Sequence, residues 1–493
     1  MLFLDNPLYP KKKYPMINAD KVTLKEKVGY GFGDMASSMF WKIFGMYSLF
    51  FYTDVFGITA AAAGTMFLVA RVWDSFFDLF VGIAADRTKT RWGRYRPYLL
   101  WFAIPFSVMG VITFFVPDFG SIGKLVYAYI TYSLMMIVYS LINVPYASLL
   151  GVMSPDPQER NILSSYRMSF AFIGSFITFM LLQPLIDFYA GAFGNLPQLS
   201  AAEHIAETTV STSPIGWTLG VATIGVICSI LFFFCFRWTR ERVQPVNKEE
   251  NTSVKQDLKN LFHNAPWWIL VGTGLAALLF NAVRDGVAIY YFKDYVQVAY
   301  RVPFIGWDVT TVYFLLGQAA NLVGVILAPS LSAKYGKRRT YMIAMAMAAL
   351  FSVLFFFVPN QLGLIFLLQI ITSLCAGYVL PLLWSMFADI VDYQELKTNR
   401  RASGLIFSSS SMSQKLGWAL GAAITGWILF YFKYNPEVVQ QNADTIFGER
   451  IMISLIPAAC CIIAFFGMMA YPLSEKKVKE VTEELERRRK LEE

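Results

Sequence analysis

Residues 237–260 read RWTRERVQPVNKEENTSVKQDLKN, and this polar stretch divides an otherwise apolar chain of 493 residues into two halves. A helix that crosses about 30 Å of hydrocarbon needs roughly 20 mostly apolar residues. Six segments of that kind precede the stretch and six follow it. The sequence therefore predicts an all-α integral membrane protein with twelve spans, at 28–56, 61–85, 97–116, 124–151, 164–190, 216–236, 266–292, 308–332, 340–358, 362–387, 403–432 and 448–473.

The composition excludes several other classes of protein. Hydrophobic residues make up 56% of the chain and charged residues 15%, against about 25% charged in a soluble domain. A soluble enzyme, a disordered protein and a secreted disulfide scaffold do not have this balance. The five cysteines lie in apolar runs without metal-ligand spacing, and only two histidines are present. Zinc chemistry and histidine acid–base catalysis therefore have little basis here.

Basic residues indicate the orientation in the membrane. Thirty-two of the 42 Lys and Arg residues fall on the side that carries both termini, and five fall on the other side. The positive-inside rule then predicts that both termini are cytoplasmic, and it explains the net charge of +8 without nucleic acid. The predicted parts are an N-terminal segment 1–27 without a signal peptide, a six-helix bundle 28–236, a cytoplasmic middle loop 237–265, a second six-helix bundle 266–473 and a solvated helical tail 474–493.

A similarity between two loops suggests that the two halves are repeats. The loop after span two reads RTKTRWGRYRP, and the loop after span eight contains AKYGKRRT. Each loop places an aromatic residue, a glycine and a basic residue at the cytoplasmic edge (92–94 and 335–337). Repeated halves with a central site are typical of secondary transporters.

Several charges occur inside the predicted spans. A charged side chain in the bilayer costs at least about 2.5–3.5 kcal/mol, so such residues face a cavity and usually mark a pathway. Arg71, Asp74 and Asp78 lie on one helix face because they are three and seven residues apart. The others are Asp34, Lys42, Arg167, Arg284, Asp285 and Lys415.

Two carboxylates one helical turn apart cannot both ionise easily in a medium of low dielectric constant. Arg71 can neutralise one of Asp74 and Asp78, so the other needs a proton or a bound cation. Carboxylate oxygens suit Na⁺ and also bind H⁺, and the pattern does not distinguish them. A structural Arg–Asp pair with one protonated Asp is the alternative.

Polar groups also recur at helical spacing in other spans. Asp34, Ser38 and Lys42 share a face of span one, and Tyr139 and Asn143 share a face of span four. Span eleven carries Ser408 to Ser411 and then Lys415. Such groups in an aromatic interior suit a polyhydroxylated ligand. Hydrogen bonding between helices is the alternative explanation for each of them.

Seven stretches together resemble a known family. They are YGFGDMASS (30–38), FYTDVFGI (51–58), FLVARVWDSFFDLFVG (67–82), RTKTRWGRYRPYLL (87–100), NVPYASL (143–149), GVAIYYF (286–292) and FADIVDYQELKTNRRASG (387–404). In this order they resemble the glycoside–pentoside–hexuronide:cation symporters, the melibiose permease family of the major facilitator superfamily. The resemblance implies that superfamily's fold, with two six-helix pseudo-repeats, and location in a bacterial inner membrane.

The resemblance also implies a coupling-cation site at Asp74 and Asp78, with the Ser140 hydroxyl beside them. Phe77 stands where the melibiose permease has an Asn in that site, which leaves both Na⁺ and H⁺ open. Metal binding is expected only as Na⁺ at the two aspartates, if the coupling ion is sodium.

The sugar site is implied in the same way. Arg167 matches the arginine that faces the sugar, and Lys415 matches the lysine of helix eleven. Ser38 and Asn143 replace sugar-binding carboxylates, and Ala147 replaces the stacking Trp, so a cargo other than melibiose is implied. The expected substrate-binding residues are Asp34, Ser38, Lys42, Tyr139, Asn143, Arg167, Arg284, Asp285, Ser411 and Lys415.

The leading hypothesis is therefore cation-coupled symport of a sugar or glycoside by alternating access, without a cofactor, by a protein that functions as a monomer. Lys42 has no counterpart in the melibiose permease, which leaves a hexuronide or a neutral glycoside as the cargo. Alternatives are a lipid or lysolipid transporter on the same fold and an intramembrane aspartyl-type enzyme. A cytoplasmic gate is expected between basic and acidic side chains when that side is closed, formed by Arg87, Arg91, Arg94, Arg96, Lys337, Arg338, Asp389, Asp392 and Glu395.

Overall fold

The computed structural model describes residues 22–154, 157–193, 211–242, 259, 261–298, 307–358, 360–398, 403–438 and 440–492. Those residues form α-helices joined by short connections, and they contain no β-strand, only an isolated bridge between Thr90 and Gly93. Most of the predicted N-terminal segment and middle loop lies outside the described residues.

The first half contains six helical spans. The first, α1, runs through Leu24–Lys42 and continues through a π-helical turn at Ile43–Tyr47, an α-helical piece at Ser48–Phe50 and a second π-helical turn at Phe51–Val55. The others are α2 (Ala60–Arg87), α3 (Arg96–Thr113), α4 (Ser121–Met153), α5 (Pro157–Phe193) and α6 (Pro214–Trp238).

The second half also contains six spans, followed by a terminal helix. Its members are α7 (Ala265–Tyr290, continued by a π-helical segment Tyr291–Val296), α8 (Val309–Tyr335), α9 (Lys337–Phe357), α10 (Leu362–Thr398), α11 (Ser403–Tyr431), α12 (in two pieces, Ala443–Ile453 and Leu455–Met469) and α13 (Glu475–Glu492). The predicted twelfth span began at residue 448 and was continuous, whereas α12 begins five residues earlier and is interrupted at Ser454.

Local sequence explains where several helices begin. Thr23 and Glu26 form a capping box at the start of α1, in which the side chain of each accepts a hydrogen bond from the backbone N–H of the other. Asp308 accepts a hydrogen bond from the Thr311 amide at 2.9 Å at the start of α8, and Asn442 accepts one from the Thr445 amide at 2.8 Å at the start of α12.

Apolar side chains cover the outside of the bundle, as a membrane environment requires. Nine helices of the described residues are long and apolar enough to cross a bilayer. The spans α1, α2 and α11 are not among these nine, and they carry charged residues in their interior. Of these three helices, α1 and α11 line the central cavity, and α2 packs against α11.

The two halves meet closely at one end of the bundle. We call the end near residue 24 and α13 the terminal end, and the opposite end the distal end. Near the distal end the halves approach so closely that a Cβ on Gly426 would lie 2.3 Å from the Ala60 carbonyl oxygen. Asp54 of α1 pairs there with Lys293 of the second half at 2.5 Å. The structure therefore has a closed distal end.

The two halves share a carboxylate contact at equivalent loops. Gly93 (φ 112°) and Gly336 (φ 86°) occupy equivalent loops at the terminal end. The Glu241 carboxylate, just after α6, accepts hydrogen bonds from the amides of Arg94, Tyr95 and Arg96 at 2.8–2.9 Å. In the second half, Glu475 just after α12 accepts one from the Lys337 amide at 2.5 Å.

The C-terminal tail forms a helix, as predicted, but it is not simply solvated. Val481 and Leu485 of α13 are each only 6% exposed, and the helix packs against α10. Their spacing of four residues gives α13 one apolar face, and burial of that face fixes the helix to the second half.

Candidate functional site

A cavity of about 440 Å³ lies between the two halves, near the middle of the bundle. It is lined by α1, α4 and α5 of the first half and by α7, α8, α10 and α11 of the second. Its lining includes charged, other polar and aromatic side chains. Among them are Asp34, Ser38, Trp41, Lys42, Tyr139, Arg167, Arg284, Asp285, Phe314, Gln318, Gln369, Ser373, Lys415 and Trp418.

The two predicted coupling carboxylates lie beside this cavity and share one lysine. Asp74 is completely buried, and its Oδ1 accepts a hydrogen bond from the Ser140 hydroxyl at 2.6 Å. The Lys415 ammonium donates to Asp74 Oδ2 at 3.0 Å and also to Asp78 Oδ2. Arg71 adds a second positive charge, with its Nη1 at 3.7 Å from Asp74 Oδ2. Two cations therefore balance two carboxylates.

One carboxylate oxygen of the pair remains without a partner. Asp78 Oδ1 is buried and has no hydrogen-bond partner among the described residues. A buried acceptor without a donor is costly, and a cation or a proton would satisfy it. With the other carboxylate oxygens and the Ser140 hydroxyl, this atom supplies the hard oxygen donors that Na⁺ prefers.

Lys415 lines the cavity and also contacts the two predicted coupling carboxylates. The sequence placed it with the sugar-binding residues, whereas its ammonium lies between the two coupling carboxylates while its side chain also lines the cavity. The sequence contained a signal for this position, because α2 held one more carboxylate than Arg71 could neutralise. The packing of α2 against α11, which brings in the missing cation, was not visible in that pattern.

Asp34 and Arg167 form an ion pair on the first-half wall of the cavity. Arg167 Nε donates to Asp34 Oδ2 at 2.9 Å, and the guanidinium also lies over the Tyr146 ring. The Arg167 side chain keeps 30% of its surface exposed. Both residues were predicted as separate sugar contacts, and the structure joins them to each other at the cavity wall.

A second charged group lies on the opposite wall. Arg284 is 3% exposed and donates from Nη2 to the Ser373 hydroxyl at 3.0 Å, and its Nε lies 3.8 Å from Asp285. Its Nε and Nη1 have no hydrogen-bond partner among the described residues, and the same holds for Oε1 of Gln369 nearby. These buried atoms belong to two side chains that line the cavity.

Lys42 reaches the cavity from α1. Its ammonium lies 5.7 Å from the centroid of the Phe179 ring. The Asp285 carboxylate is close enough to attract the Lys42 ammonium. Lys42 and Arg284 therefore both bring positive charge to a volume in which Asp285 is the nearby carboxylate.

Aromatic rings frame the polar groups. The Arg71 guanidinium lies over the Trp41 ring, 4.4 Å from its centroid. The Trp41 and Tyr139 rings also pack together, with their centroids 5.8 Å apart. Trp418 of α11 lines the cavity from the other half. A sugar presents both hydroxyl groups and an apolar C–H face, so polar groups beside indole rings suit it.

The remaining predicted substrate residues divide into three cases. Ser38 and Tyr139 line the cavity. Asn143 is not part of the lining, and its amide donates to the Tyr139 carbonyl at 3.3 Å, as expected for a contact within a helix. The side chain of Ser411 lies outside the part of the structure that is described.

Several of the predicted gate residues contact groups of their own half. Lys337 pairs with Asp389 of its own half at 2.7 Å, and Arg338 donates to the carbonyls of Met468 and Met469. Arg96 donates to the carbonyls of Trp92 and Phe236. Arg91 lies over the ring of Trp92, Arg87 is exposed, and Asp392 and Glu395 lie on α10. A gate between the halves, expected when the terminal end is closed, stays a prediction.

Comparisons with known proteins identify the family. The family model described as MFS/sugar transport protein matches residues 29–475. The putative glycoside/cation symporter YagG of Escherichia coli (strain K12) is 33% identical over 473 residues, which cover 94% of this chain and 95% of that protein. The isoprimeverose transporter of Lactiplantibacillus pentosus is 36% identical over 469 residues, which cover 94% and 91%.

A solved structure supports the fold. A bacterial homolog of the human lysosomal transporter Spinster, in an inward-facing and unoccupied conformation, aligns with a TM-score of 0.64 at 12% identity, over 93% of this chain and 97% of that chain. The curated relatives are transporters, and they favour neither the enzyme nor the lipid-transporter alternative. The all-α architecture, the family model and the two relatives together show that the chain belongs to the glycoside–pentoside–hexuronide:cation symporters of the major facilitator superfamily.

Proposed function

We propose that this protein imports a sugar or glycoside together with Na⁺ or H⁺, that Asp74, Asp78 and Ser140 bind the coupling ion, and that Lys415 links that ion to the sugar. The single observation that carries the proposal is the position of the Lys415 ammonium between the two aspartates at the edge of the cavity.

The charge balance gives the mechanism. With Lys415 in place, Asp74 and Asp78 are matched by Lys415 and Arg71. A coupling ion that binds at Asp78 Oδ1 makes this group positive by one charge, because it adds a cation to a neutral set. Repulsion then favours movement of the ammonium from the carboxylates into the cavity.

A displaced Lys415 becomes a hydrogen-bond donor for the cargo. The ammonium has three N–H donors and a flexible stem, so it can turn to a sugar hydroxyl without movement of the helix. Binding of the coupling ion therefore prepares the sugar site, and sugar binding in turn holds Lys415 away from the ion. This reciprocity is what thermodynamic linkage requires of a symporter.

The orientation of the chain and the membrane potential indicate the direction of transport and the energy that drives it. The basic loops predict that both termini are cytoplasmic under the positive-inside rule, and a relative described as an inner membrane symporter favours that membrane. One cation that enters down a 100 mV potential supplies about 2.3 kcal/mol. The closed distal end then corresponds to a state closed to the periplasm, in a protein that works as a monomer.

The cargo has either no charge or one negative charge. Around the cavity and the coupling pair, the cations Lys42, Arg71, Arg167, Arg284 and Lys415 outnumber the carboxylates Asp34, Asp74, Asp78 and Asp285 by one. With Asp34 and Arg167 paired, Lys42 and Arg284 are the cations that face the cavity beside Asp285. A hexuronide would place its carboxylate there, and a neutral glycoside would place hydroxyl groups there.

Binding of sugar as a function of the coupling ion tests the proposal. In purified wild-type protein, addition of Na⁺ or a fall in pH should strengthen binding of the transported sugar. In Lys415→Met that dependence should disappear, whereas in the exposed-lysine control Lys89→Met it should persist. Retention of the full ion dependence in Lys415→Met would show that Lys415 is not the link.

A further inference from the structure

A separate group of buried charges joins the two halves at the distal end. Asp54, at the end of α1, accepts hydrogen bonds on Oδ1 from Lys293 at 2.5 Å and from the Tyr434 hydroxyl at 2.6 Å. Its Oδ2 accepts one from the Thr53 hydroxyl at 2.6 Å, and Thr53 also contacts the Tyr290 hydroxyl at 2.7 Å. The Asp54 side chain is 1% exposed. We call these five residues the distal latch.

Two further carboxyl groups lie behind the latch. Asp294 is 2% exposed and Glu449 is completely buried, and their side chains are within hydrogen-bond reach of each other. Among the described residues, both oxygens of Glu449 and Oδ2 of Asp294 have no donor as partner. Two carboxylates in such contact cannot both be ionised without a cation, but a carboxylic acid can donate to a carboxylate.

Within the described part of the chain, the surrounding charges do not supply that cation. Lys293 is the ammonium near the pair, and it is already engaged by Asp54 and Tyr434. Arg450, next to Glu449, donates from Nη2 to the Phe356 carbonyl at 2.7 Å and lies over the rings of Phe356 and Tyr295. The other titratable groups that act on the pair are Asp54, Tyr290 and Tyr434.

We propose that Asp294 and Glu449 share one proton when the distal end is closed, and that this proton makes the distal latch sensitive to pH. The proton lies between a Glu449 carboxyl oxygen and Oδ2 of Asp294 and satisfies atoms that otherwise have no donor. The site is distinct from the coupling site, because it is built from α7 and α12 rather than from α2 and α4.

Opening of the distal end removes the need for the proton. Asp54 belongs to the first half, whereas Lys293, Asp294 and Glu449 belong to the second. When the halves separate there, Lys293 loses Asp54 and can neutralise the acid pair, which then releases its proton to the distal solution. Closure reverses these steps and takes the proton up from the same solution. Acid on that side therefore favours the closed latch.

The experiment measures opening of the distal end against pH. Spin labels on exposed distal positions of the two halves, Asp118→Cys and Glu437→Cys, report the open and closed populations by electron–electron distance in the reconstituted full chain. For wild type, the ratio of open to closed should rise by up to about tenfold per pH unit in the range where one proton is released. To separate this from titration of the coupling pair, the series is repeated with Asp74→Asn and Asp78→Asn.

Two neutral variants test the residues themselves. Glu449→Gln and Asp294→Asn each place an amide donor where the shared proton would be, so both should remain closed at high pH and lose the pH dependence. Asp444→Asn, which removes an exposed carboxylate of the same helix, should behave as wild type. An unchanged pH dependence in Glu449→Gln or Asp294→Asn, with sugar binding retained as evidence of folding, would overturn the proposal. If one variant does not fold, the other decides.

Discussion

Lys415 Nζ lies 3.0 Å from Asp74 Oδ2 and also contacts Asp78, so a lysine from the second half occupies the space between two carboxylates of the first. This contact joins α11 to α2 across the interface along which the halves must move. Under the proposed function, this side chain couples ion binding to movement of the halves.

Removal of that ammonium should strengthen binding of the coupling ion. Lys415→Met leaves two carboxylates with Arg71 alone, so the ion no longer has to displace a competing cation. We expect ion affinity to rise by about tenfold or more, because an ammonium about 4 Å from the ion repels it by a few kcal/mol in a partly polar site. Isothermal titration with Na⁺, or proton release against pH, measures this. A weaker ion affinity in Lys415→Met than in Lys89→Met would contradict the competition.

The ion pair between Asp34 and Arg167 makes a second prediction. Arg167→Gln leaves the Asp34 carboxylate at the cavity wall without its partner, and sugar affinity should fall. Asp34→Asn in the same protein removes the unpaired charge and should restore part of the affinity. Equilibrium binding of the transported sugar to the two single variants and the double variant provides the measurement. Strictly additive losses would show that the two residues act on the sugar independently.

The carboxylate contacts of the two loops predict a stability effect. A Cβ on Gly93 would lie 2.4 Å from Glu241, and the residue has φ 112°. Gly93→Ala should therefore destabilise the protein by about 1–2 kcal/mol from the backbone alone. Thermal unfolding in detergent should show a lower Tm for Gly93→Ala and for Gly336→Ala.

Gly363→Ala is the matched control for these two variants, because a Cβ there would meet no atom within 4 Å and the residue lies in the exposed first turn of α10. Its Tm should not fall. An equal fall in Tm for Gly363→Ala and Gly93→Ala would mean that the loop contact has no specific role.

The charge of the cargo can be tested at Lys42. If the cargo is a hexuronide, Lys42→Met should weaken binding of a glucuronide by about tenfold or more, the scale of a charge-assisted hydrogen bond, and should leave the matching glucoside little changed. Competition binding with both sugars at equal concentration is the measurement. Equal effects on both sugars would assign Lys42 a structural role, and stronger inhibition of wild type by the glucoside would refute the preference for uronides.

Most of the fold was predictable from the sequence, because bilayer thickness sets the length of each span and basic residues concentrate in cytoplasmic loops. It also identified Asp74, Asp78, Arg167 and Lys415 as buried charges, because each is costly in a bilayer. Pairing between these charges was not predictable from spacing within a helix. Asp34 and Arg167 are 133 residues apart in the sequence, and Asp74 and Lys415 are 341 residues apart. Both pairs form through contacts between different helices.

The distal latch and the two carboxyl groups behind it show the same limit. Asp54, Asp294 and Glu449 lie close to the ends of predicted spans, where a charge near water has no special meaning. They become unusual only because the closed halves bury them, and burial of that kind depends on the tertiary structure. Conversely, the charged tail was predicted as solvated because its apolar residues are few, although Val481 and Leu485 share one face.

Uptake of sugar into proteoliposomes under an imposed ion gradient tests the central claim most directly. A panel of labelled glycosides is offered to wild type, Asp78→Asn and the exposed-carboxylate control Asp118→Asn, with an inward gradient of Na⁺ or of H⁺. We predict accumulation above the external concentration with one of the two gradients in wild type and Asp118→Asn. Asp78→Asn should show no accumulation, although exchange of sugar across the membrane can persist. Undiminished gradient-driven accumulation in Asp78→Asn would contradict the account.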